Sequence, residues 1–463
     1  MPQFHPSRLL KAGSRALDAL GVFALALLVR LAFVAWAHTR FQPTEDAHFY
    51  DILARRLSSG DGYTWLWPDG AVTYAAHYPV GYPALLAVVY SVFGAAPGAA
   101  MTLNALLGAA GAYGAHRLVD GKGVARWRPL GASIAVALHP ALVPYTVSLM
   151  TEGVTASLLV IATALAGRAR RDGSTWFWIA GSGLTLGVAT LVRPQSLLLA
   201  PVLGALACRA GRGALERFKR AAAATAIALA CVAPWTVRNC VRMHRCALVS
   251  VNGGWNLLIG AQTTSGAWEP LHTPPECASV WDEAAKDACF EHAAYSEIAR
   301  SPMSWVARAP GKLAVTLDYF GAAPWYLHAS NGAAFGDRAK AALAMVETVV
   351  CRFLLVAALI AFATWPGRRS MARKAASLVG VVAAMTVHGW IGYTALAASA
   401  ALLGWRAVVR APVVVATTAA LIVVTALVHV LFFGAGRYGL VIVPFVAMAG
   451  FVRAGATSLH SRH

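Results

Sequence analysis

Charged residues are scarce in this chain, and their scarcity excludes an ordinary soluble protein. Only 13% of the 463 residues are Asp, Glu, Lys or Arg, whereas 58% are apolar. Soluble domains carry roughly 25% charged residues. Acidic residues are the rarer kind, because 20 of them face 39 basic residues and leave a net charge of +19. The composition predicts a membrane protein, and the position of the positive charge decides whether a nucleic acid is a partner.

Long apolar runs predict the membrane helices. A helix needs roughly 20 mostly apolar residues to cross a bilayer, and by this measure we predict an all-α polytopic membrane protein with about twelve spans. Internal repeats and low-complexity tracts are lacking. The candidate spans lie at residues 16–38, 99–119, 130–150, 153–167, 175–192, 195–208, 221–237, 342–365, 375–390, 391–404, 411–433 and 439–453.

The basic residues predict the orientation, since Lys and Arg concentrate in short cytoplasmic loops. Counting residues 82–95 as a span would put most basic loops outside, so we predict an interfacial, non-spanning helix there. The predicted cytoplasmic segments then hold 23 Lys and Arg, and the opposite side holds 14. Both termini are expected to be cytoplasmic. The charge is therefore a topology signal and does not predict a nucleic-acid partner.

Two external loops separate the predicted domains. Residues 1–237 form an N-terminal bundle that includes the first external loop, residues 39–98. Residues 238–341 form a second external region, and residues 342–463 form the C-terminal helices. Four of the seven cysteines lie in the second region, where an oxidising compartment would favour pairing. The alternatives are free thiols or the pairs Cys240 with Cys246 and Cys277 with Cys289.

Charged residues inside the predicted spans are few. Glu347 and Arg352 are expected to pair with each other, and Arg30 is expected to face neighbouring helices. A charge within the bilayer is costly unless it has a partner, so we predict that these three residues are structural.

Three carboxylates are candidates for chemistry at the external face. Glu45 and Asp46 stand just outside the first span, and Glu152 follows the span at 130–150. A carboxylate near lipid can act as a general base. The alternative is helix capping, in which the side chains satisfy free backbone amides at a helix start.

Three arginines are expected on the same side, at the ends of different spans: Arg193, Arg238 and Arg437. The planar guanidinium suits phosphate oxygens, so these residues are candidates for binding a lipid phosphate. The alternative for each is contact with lipid headgroups without a specific ligand.

Several strings, taken in order, resemble a family of membrane enzymes. They are TEDAHFYDILARRLSSGDGY, HYPVGYPALLAVVYSVFG, HPALVPYTVSLMTEG, GVATLVRPQSLLLAP, APWTVRN, VNGGWNLLIGAQ and RYGLVIVPF. Their succession resembles the polyprenyl-phosphate-dependent glycosyltransferases of the GT-C fold, in particular the bacterial family 39 group related to protein mannosyltransferases and the lipid A aminoarabinose transferase.

This resemblance implies a GT-C-like bundle with two external loops that carry interfacial helices, in the bacterial inner membrane. It implies transfer of a single sugar from a polyprenyl-phosphate donor to an acceptor lipid, glycan or protein at the external face, with inversion. Asp46 or Glu45 would be the base, Glu152 the second acidic residue, and Arg437, Arg238 and Arg193 the donor phosphate ligands. We expect no cofactor or metal to be required, since ligand clusters are lacking. The residues expected at the sugar or acceptor pocket are His48, His77, Tyr78, Trp255 and Asn252.

Other functions remain open at this stage. A multi-pass transporter or lipid flippase is the main alternative, although the sequence lacks a two-fold hydropathy repeat. An envelope polysaccharide polymerase or ligase and a non-catalytic assembly partner are further alternatives.

Overall fold

The computed structural model describes residues 6–121, 123–172, 176–209, 211–318, 321–365 and 369–453. Of the predicted cytoplasmic segments, residues 1–5, 122, 210, 367–368 and 454–463 lie outside this description. Strands within it form one antiparallel hairpin, in which β1 (Thr64–Leu66) pairs with β2 (Val72–Tyr74). The remaining elements are helices, so the predicted all-α class is confirmed.

The helices fall into three groups along the chain. The first group comprises α1 (Pro6–Ala37), α2 (Asp46–Ser58), α3 (Gly81–Phe93), α4 (Pro97–Val119), α5 (Trp127–Ala137), α6 (Thr151–Asp172), α7 (Trp176–Val192), α8 (Ala200–Leu206) and α9 (Ala214–Arg242). The second comprises α10 (Gly253–Gln262), α11 (Pro275–Ala278), α12 (Glu283–Arg300), α13 (Pro302–Ala307), α14 (Ala309–Leu317) and α15 (Ala322–Ser330). The third comprises α16 (Asp337–Ala363), α17 (Ser370–Ala384), α18 (Gly389–Ala401), α19 (Trp405–Val408), α20 (Val413–Leu431) and α21 (Val443–Ala449).

Five of the described helices are long and apolar enough to cross a membrane on their own. They are α1, α6, α9, α16 and α20, and together they make the chain a helical polytopic membrane protein. Each of the twelve predicted spans overlaps a helical segment, but several helices are much shorter than predicted. The number of spans therefore stays a prediction beyond these five.

The predicted span at 130–150 is the largest departure from the sequence prediction. Helix α5 has only 11 residues and ends at Ala137, because Pro140 lacks an N–H and disfavours helical backbone in the residue before it. A second proline opens a short 3-10 helix, Pro144–Val147. The segment 439–453 is broken in the same way, since a 3-10 helix over Gly436–Val441 precedes the seven residues of α21.

Buried side chains satisfy the backbone where α5 ends. The last carbonyls of a helix lack partners within it. Arg30, which is 1% exposed, donates to the carbonyls of Ala137 at 2.7 Å and Val136 at 3.4 Å. The Asn104 amide donates to the carbonyls of Thr146 at 3.1 Å and Ser148 at 3.3 Å. Arg30 thus faces neighbouring helices, as predicted.

Helix α3 does not continue straight into α4. It makes an angle of 119° with α4, and its 13 residues span only about 20 Å. At its start, a Cβ on Gly81 would lie 2.4 Å from the backbone of Leu191, so a glycine is needed for α3 to pack against the end of α7. This geometry agrees with an interfacial helix, and its position at the membrane surface stays a prediction.

The first loop region (residues 39–98) and the second loop region (residues 238–341) pack against each other. One carboxylate, that of Glu283 at the start of α12, joins them. It accepts hydrogen bonds from the backbone N–H groups of Ala76 at 2.6 Å and His77 at 3.0 Å, and from Trp65 Nε1 at 2.5 Å. Both loop regions therefore lie on one side of the helix bundle, called the loop side below.

Two disulfides close turns of the second loop region. The bonds join Cys240 to Cys246 and Cys277 to Cys289, which are the two short pairings considered from the sequence. The other three cysteines, Cys208, Cys231 and Cys351, are free and at least partly buried.

The second loop region is also tied to the loop-side end of α20. Lys312 is fully buried, and its Nζ donates to the carbonyls of Gly260 at 2.8 Å and Val430 at 3.2 Å. Just beyond α20, the N–H of Gly434 donates to the carbonyl of Gly266 at 2.8 Å. A Cβ on Gly434 would approach the Lys312 carbonyl to 2.4 Å, so this contact requires a glycine.

The predicted pair of Glu347 and Arg352 does not form. Residues five apart lie on different faces of a helix, whereas neighbours on one face are three or four apart. Arg352 instead binds Asp318 at 2.7 Å, and both side chains are largely buried. Glu347 is fully buried; its carboxylate oxygens make no hydrogen bond of ordinary geometry, although the Gly321 N–H interacts with the carboxyl group.

The environments of Glu347 and Arg352 predict different changes in thermal stability when each charged side chain is replaced by an uncharged one. Glu347→Gln is expected to keep or raise the thermal unfolding midpoint, because an unpaired buried carboxylate contributes little stability. Arg352→Gln is expected to cost about 3–5 kcal/mol, since it leaves Asp318 buried without its cation. Thermal unfolding of the purified protein in mild detergent measures both, and equal losses for the two variants would contradict this assignment.

Candidate active site

Asp46 occupies the first turn of α2, but it does not cap that helix. Glu45 is the residue before the helix, with φ 53°, and it makes no capping hydrogen bond through its side chain. The Asp46 carboxylate accepts from Arg437 Nη2 at 2.5 Å and from the Tyr78 hydroxyl at 3.2 Å. The capping alternative is therefore wrong for this pair of acids, since Asp46 binds side chains from distant parts of the chain.

Glu152 is the most deeply buried carboxylate at this place. It lies in the first turn of α6, and its side chain is 1% exposed. Its carboxylate accepts from Arg193 Nη1 at 2.6 Å and from the Tyr145 hydroxyl at 2.7 Å. Arg437 Nε lies 3.5 Å from the same carboxylate. Glu152 is thus held by both arginines.

We call Asp46, Glu152, Arg193 and Arg437 the carboxylate–arginine cluster. Its members come from α2, α6, the break after α7 and the 3-10 helix beyond α20. Two negative and two positive charges make it formally neutral. The side chains of Asp46 and Arg437 are 29% and 26% exposed, whereas that of Arg193 is only 11% exposed. Asp46 and Arg437 therefore form the open edge of the cluster.

An aromatic ring supports both arginines. The Arg193 guanidinium lies 4.9 Å from the Tyr438 ring centroid, and that of Arg437 lies 5.3 Å from it. His429 stacks on the ring of Tyr438 at 4.3 Å. Tyr145 and Tyr438 were not singled out from the sequence, although each stands in one of the strings that resemble the family. Their closeness in sequence to Glu152 and Arg437 was the signal that could have identified them.

Arg437 controls the charge of Asp46. Burial by itself raises the pKa of this carboxyl, but the charge and hydrogen bond of Arg437 outweigh burial, and the Tyr78 hydroxyl adds to their effect. The net result is a pKa below the ordinary value of 3.8, so Asp46 is an anion at neutral pH. This is the protonation state that a general base needs.

Tyr78 connects the cluster to an aromatic wall. Its ring stacks on Phe49 at 5.3 Å, and Trp65 lies edge-on to Phe49 at 6.0 Å. The ring of His77 lies edge-on to that of Trp255 at 5.1 Å, and the backbone N–H of Trp255 donates to the Asp287 carboxylate at 2.9 Å. The wall therefore runs from Asp46 to the second loop region.

The predicted pocket residues differ in their distance from Asp46 along this wall. Tyr78 contacts Asp46 directly, and Trp255 is reached through His77. Burial lowers the pKa of His77, and nearby carboxylates, Glu283 first, oppose the shift. His48 is exposed and contacts Phe49. Asn252 precedes α10, where its side chain accepts a hydrogen bond from Ser250 at 2.9 Å.

Arg238 lies elsewhere. Its guanidinium donates to the carbonyls of Ala75 at 2.8 Å and Tyr63 at 2.9 Å, and it packs over Trp235 at 4.7 Å. These contacts fasten the β1–β2 hairpin to α9. Within the described part of the chain, no hydrogen bond or ion pair joins Arg238 to the carboxylate–arginine cluster. Its expected role at a phosphate has no geometric support here, because carbonyl groups occupy the guanidinium.

Metal ligands are not grouped in the parts of the chain described above. No set of three or more His, Cys, Asp and Glu side chains there has a geometry that could hold a metal ion. The charge opposite Asp46 and Glu152 is supplied by guanidinium groups instead.

No protein-family model matches the chain, and no curated protein matches it either. Among solved structures, the chain is similar to ArnT from Cupriavidus metallidurans bound to undecaprenyl phosphate. The TM-score is 0.38 with 16% identity, over 93% of this chain and 76% of that one. It is also similar to the oligosaccharyltransferase AglB from Archaeoglobus fulgidus in complex with an inhibitory peptide and a dolichol-phosphate.

For AglB the TM-score is 0.44 with 12% identity, over 94% of this chain and 50% of that one, so the chain spans about half the length of AglB. Both structures have the GT-C fold, which is the group that the ordered strings resemble.

The lowered pKa of Asp46 predicts a particular pH dependence of stability. The pair with Arg437 stabilises the fold fully above the unfolded pKa of about 3.8, and the contribution is lost as pH falls through the lower folded value. The wild type should therefore exceed Asp46→Asn in unfolding midpoint by a constant amount near neutral pH, and the difference should shrink below pH 4.

Thermal unfolding in detergent between pH 7 and pH 3 measures this difference. Asp69→Asn changes an exposed carboxylate in the same loop region and serves as the matched control. A difference between wild type and Asp46→Asn that stayed constant down to pH 3 would contradict the pairing.

Proposed function

We propose that the chain is a membrane glycosyltransferase that moves a single sugar from a polyprenyl-phosphate donor to an acceptor hydroxyl. The observation that carries this proposal is the convergence of Asp46, Glu152, Arg193 and Arg437 from four separate chain segments. A base and an anion-binding group at one open edge are what such a transfer needs, because one proton must leave and one phosphate must depart.

Asp46 is the base in this proposal. It takes the proton of the acceptor hydroxyl while that oxygen forms a bond to the anomeric carbon. The bond from the anomeric carbon to the phosphate oxygen breaks on the opposite face, so the configuration inverts. The polyprenyl phosphate leaves with the bonding electrons, and Arg437 and Arg193 stabilise its charge. Glu152 holds both arginines in place from behind.

The ion pair between Asp46 and Arg437 couples donor binding to the strength of the base. A donor phosphate at the open edge competes with Asp46 for the Arg437 guanidinium, which can bind two oxygens side by side. Because Arg437 lowers the pKa of Asp46, transfer of this arginine to the phosphate makes the carboxylate more basic. The base is therefore strengthened when the donor is present.

The aromatic wall is the proposed place for the sugar or acceptor. Aromatic rings next to a carboxylate offer stacking faces, and Phe49 is 39% exposed. Tyr78 and His77 line this wall nearest Asp46, with Trp255 behind them. His48 and Asn252 lie at its margins.

The proposal places the enzyme in the bacterial inner membrane with both termini cytoplasmic and the loop side external. The concentration of Lys and Arg on the opposite side of the chain supports this orientation. The partners are then a lipid-linked sugar donor and an acceptor lipid, glycan or protein. No cofactor is required, because arginines supply the positive charge at the leaving group.

Removing the base should abolish most of the transfer. Asp46→Asn is expected to lower the rate by about 10² to 10⁴-fold, which is the contribution of a positioned general base. The assay uses purified full-length protein, a radiolabelled polyprenyl-phosphate sugar and candidate acceptors. Glu45→Gln tests the neighbouring acid in the same assay and is expected to have the smaller effect, since Glu45 is exposed and Asp46 contacts the cluster.

The control for this series is Asp69→Asn in the first loop region. Full activity of an Asp46→Asn protein that is expressed and folded normally would contradict the proposed base. Movement of the lipid-linked sugar across the membrane without transfer would favour the flippase alternative.

Removing Arg437 should move the acid limb of the pH profile of kcat/KM, which reports the free enzyme, where Arg437 still pairs with Asp46. Arg437 lowers the pKa of Asp46, so Arg437→Gln raises that pKa and the rate should begin to fall at a higher pH than in the wild type. The donor KM should rise in the same variant. The matched control is Arg338→Gln, at an exposed position in α16. An unshifted acid limb in Arg437→Gln would contradict the proposed effect of Arg437 on the pKa of Asp46.

A further inference from the structure

A groove lies in the second loop region, away from the carboxylate–arginine cluster. Its volume is about 280 Å³, and it forms where α12, α13 and α14 meet. The end of α12 supplies Glu297 and Arg300, α13 supplies Trp305, and the turn into α14 supplies Arg308. Ala261 of α10 closes one side. None of these residues takes part in the transfer proposed above.

The groove carries positive charge that the described structure leaves largely uncompensated. Arg300 uses its Nε–H for the carbonyl of Ser296 at 3.4 Å, and no other hydrogen bond or ion pair of its guanidinium is found among the described residues. Arg308 donates to the carbonyl of Ala261 and to Ser304 Oγ at 3.2 Å, neither of which is an anion. The single carboxylate of the wall, Glu297, already accepts from Gln262 at 3.2 Å.

One donor of the groove, on Trp305, lacks a partner among the described residues. The indole Nε1–H of Trp305 is buried and meets no acceptor in the described structure. The ammonium group of Lys312 lies 5.2 Å from the same ring, which adds positive charge beneath the groove. An N–H without an acceptor is costly, so the groove is suited to a ligand that brings several acceptor oxygens.

The groove opens beside a segment suited to the membrane surface. None of the residues of α13 is buried, and its apolar side chains Met303 and Val306 are 76% and 52% exposed. Exposed apolar residues flanked by arginines are typical of a segment that lies in the lipid headgroup layer. The Lys312 contact with the Val430 carbonyl holds α14 against the end of the α20 span, which keeps this segment near the membrane.

We propose that this groove binds the phosphate of an anionic lipid headgroup from the leaflet on the loop side. Arg300 and Arg308 are the phosphate ligands, because two guanidinium groups can bind phosphate oxygens side by side. Met303 and Val306 enter the lipid beside it. This site is independent of the proposed glycosyl transfer, and the lipid acts as a bound partner that is not consumed.

The test measures binding of phosphatidylglycerol to the full-length protein in neutral detergent by native mass spectrometry. Phosphatidylcholine and inorganic phosphate form the comparison arms. Arg300→Gln should weaken the tightest phosphatidylglycerol binding about tenfold, which corresponds to one charge-assisted hydrogen bond. Arg300→Lys keeps the charge but loses the planar guanidinium, so its binding should fall between that of the wild type and that of Arg300→Gln. Arg338→Gln removes an exposed arginine from α16 and should leave the binding unchanged.

Equal phosphatidylglycerol binding by wild type and Arg300→Gln would overturn the proposal, as would an equal loss in Arg338→Gln. Displacement of the lipid by millimolar inorganic phosphate would show that free phosphate is the ligand and would also overturn it. Arg300 makes one weak backbone contact, so its variants are expected to fold. Sugar transfer is assayed separately, and its absence in a protein that still binds the lipid would leave this site standing.

Discussion

The loop side depends on the neutralisation of two carboxylates, the buried Glu152 and the partly exposed Asp46, by two arginines. A buried carboxylate without a cation is strongly destabilising, so Glu152 constrains the positions of both Arg193 and Arg437. These arginines in turn fix the start of α6, the break after α7 and the segment beyond α20. Asp46 then joins α2 to the same cluster, and the first loop region is held at the mouth of the bundle. Four chain segments are thus positioned by one set of charges.

The sequence predicted the helices well and their lengths less well. Apolar runs located all twelve segments, because burial in lipid or protein requires the same residue types. The predicted helix length was wrong where proline interrupts an apolar run, as at Pro140, because hydropathy does not depend on whether the backbone has an N–H. The pairing of Glu347 with Arg352 failed for a related reason. The sequence places them on one helix, but Asp318, which binds Arg352, comes from a distant segment.

The candidate site was predictable in its parts and not in its assembly. Asp46, Glu152, Arg193 and Arg437 stand out in sequence because charge beside an apolar span is costly and unusual. Which arginine meets which carboxylate depends on helix packing across as many as 391 positions, and no local pattern encodes that. Sequence position alone does not identify the partner of an arginine. The same reasoning selected Arg238, but its guanidinium binds backbone carbonyls of the hairpin region instead. Tyr145 and Tyr438 were overlooked because a tyrosine near a membrane surface is common.

Because α5 ends early, backbone peptide groups outside regular α-helix lie in the interior of the bundle. Residues 143–150 are all buried, and irregular backbone at membrane depth is tolerated only where protein or a water-filled cavity covers it. The interior beside Glu152 therefore contains peptide groups of these residues, and two of their carbonyls, those of Thr146 and Ser148, accept hydrogen bonds from Asn104. Substitution of the side chains of residues 143–150 leaves these carbonyl groups in place. The surroundings of the buried carboxylate thus stay polar when these side chains change.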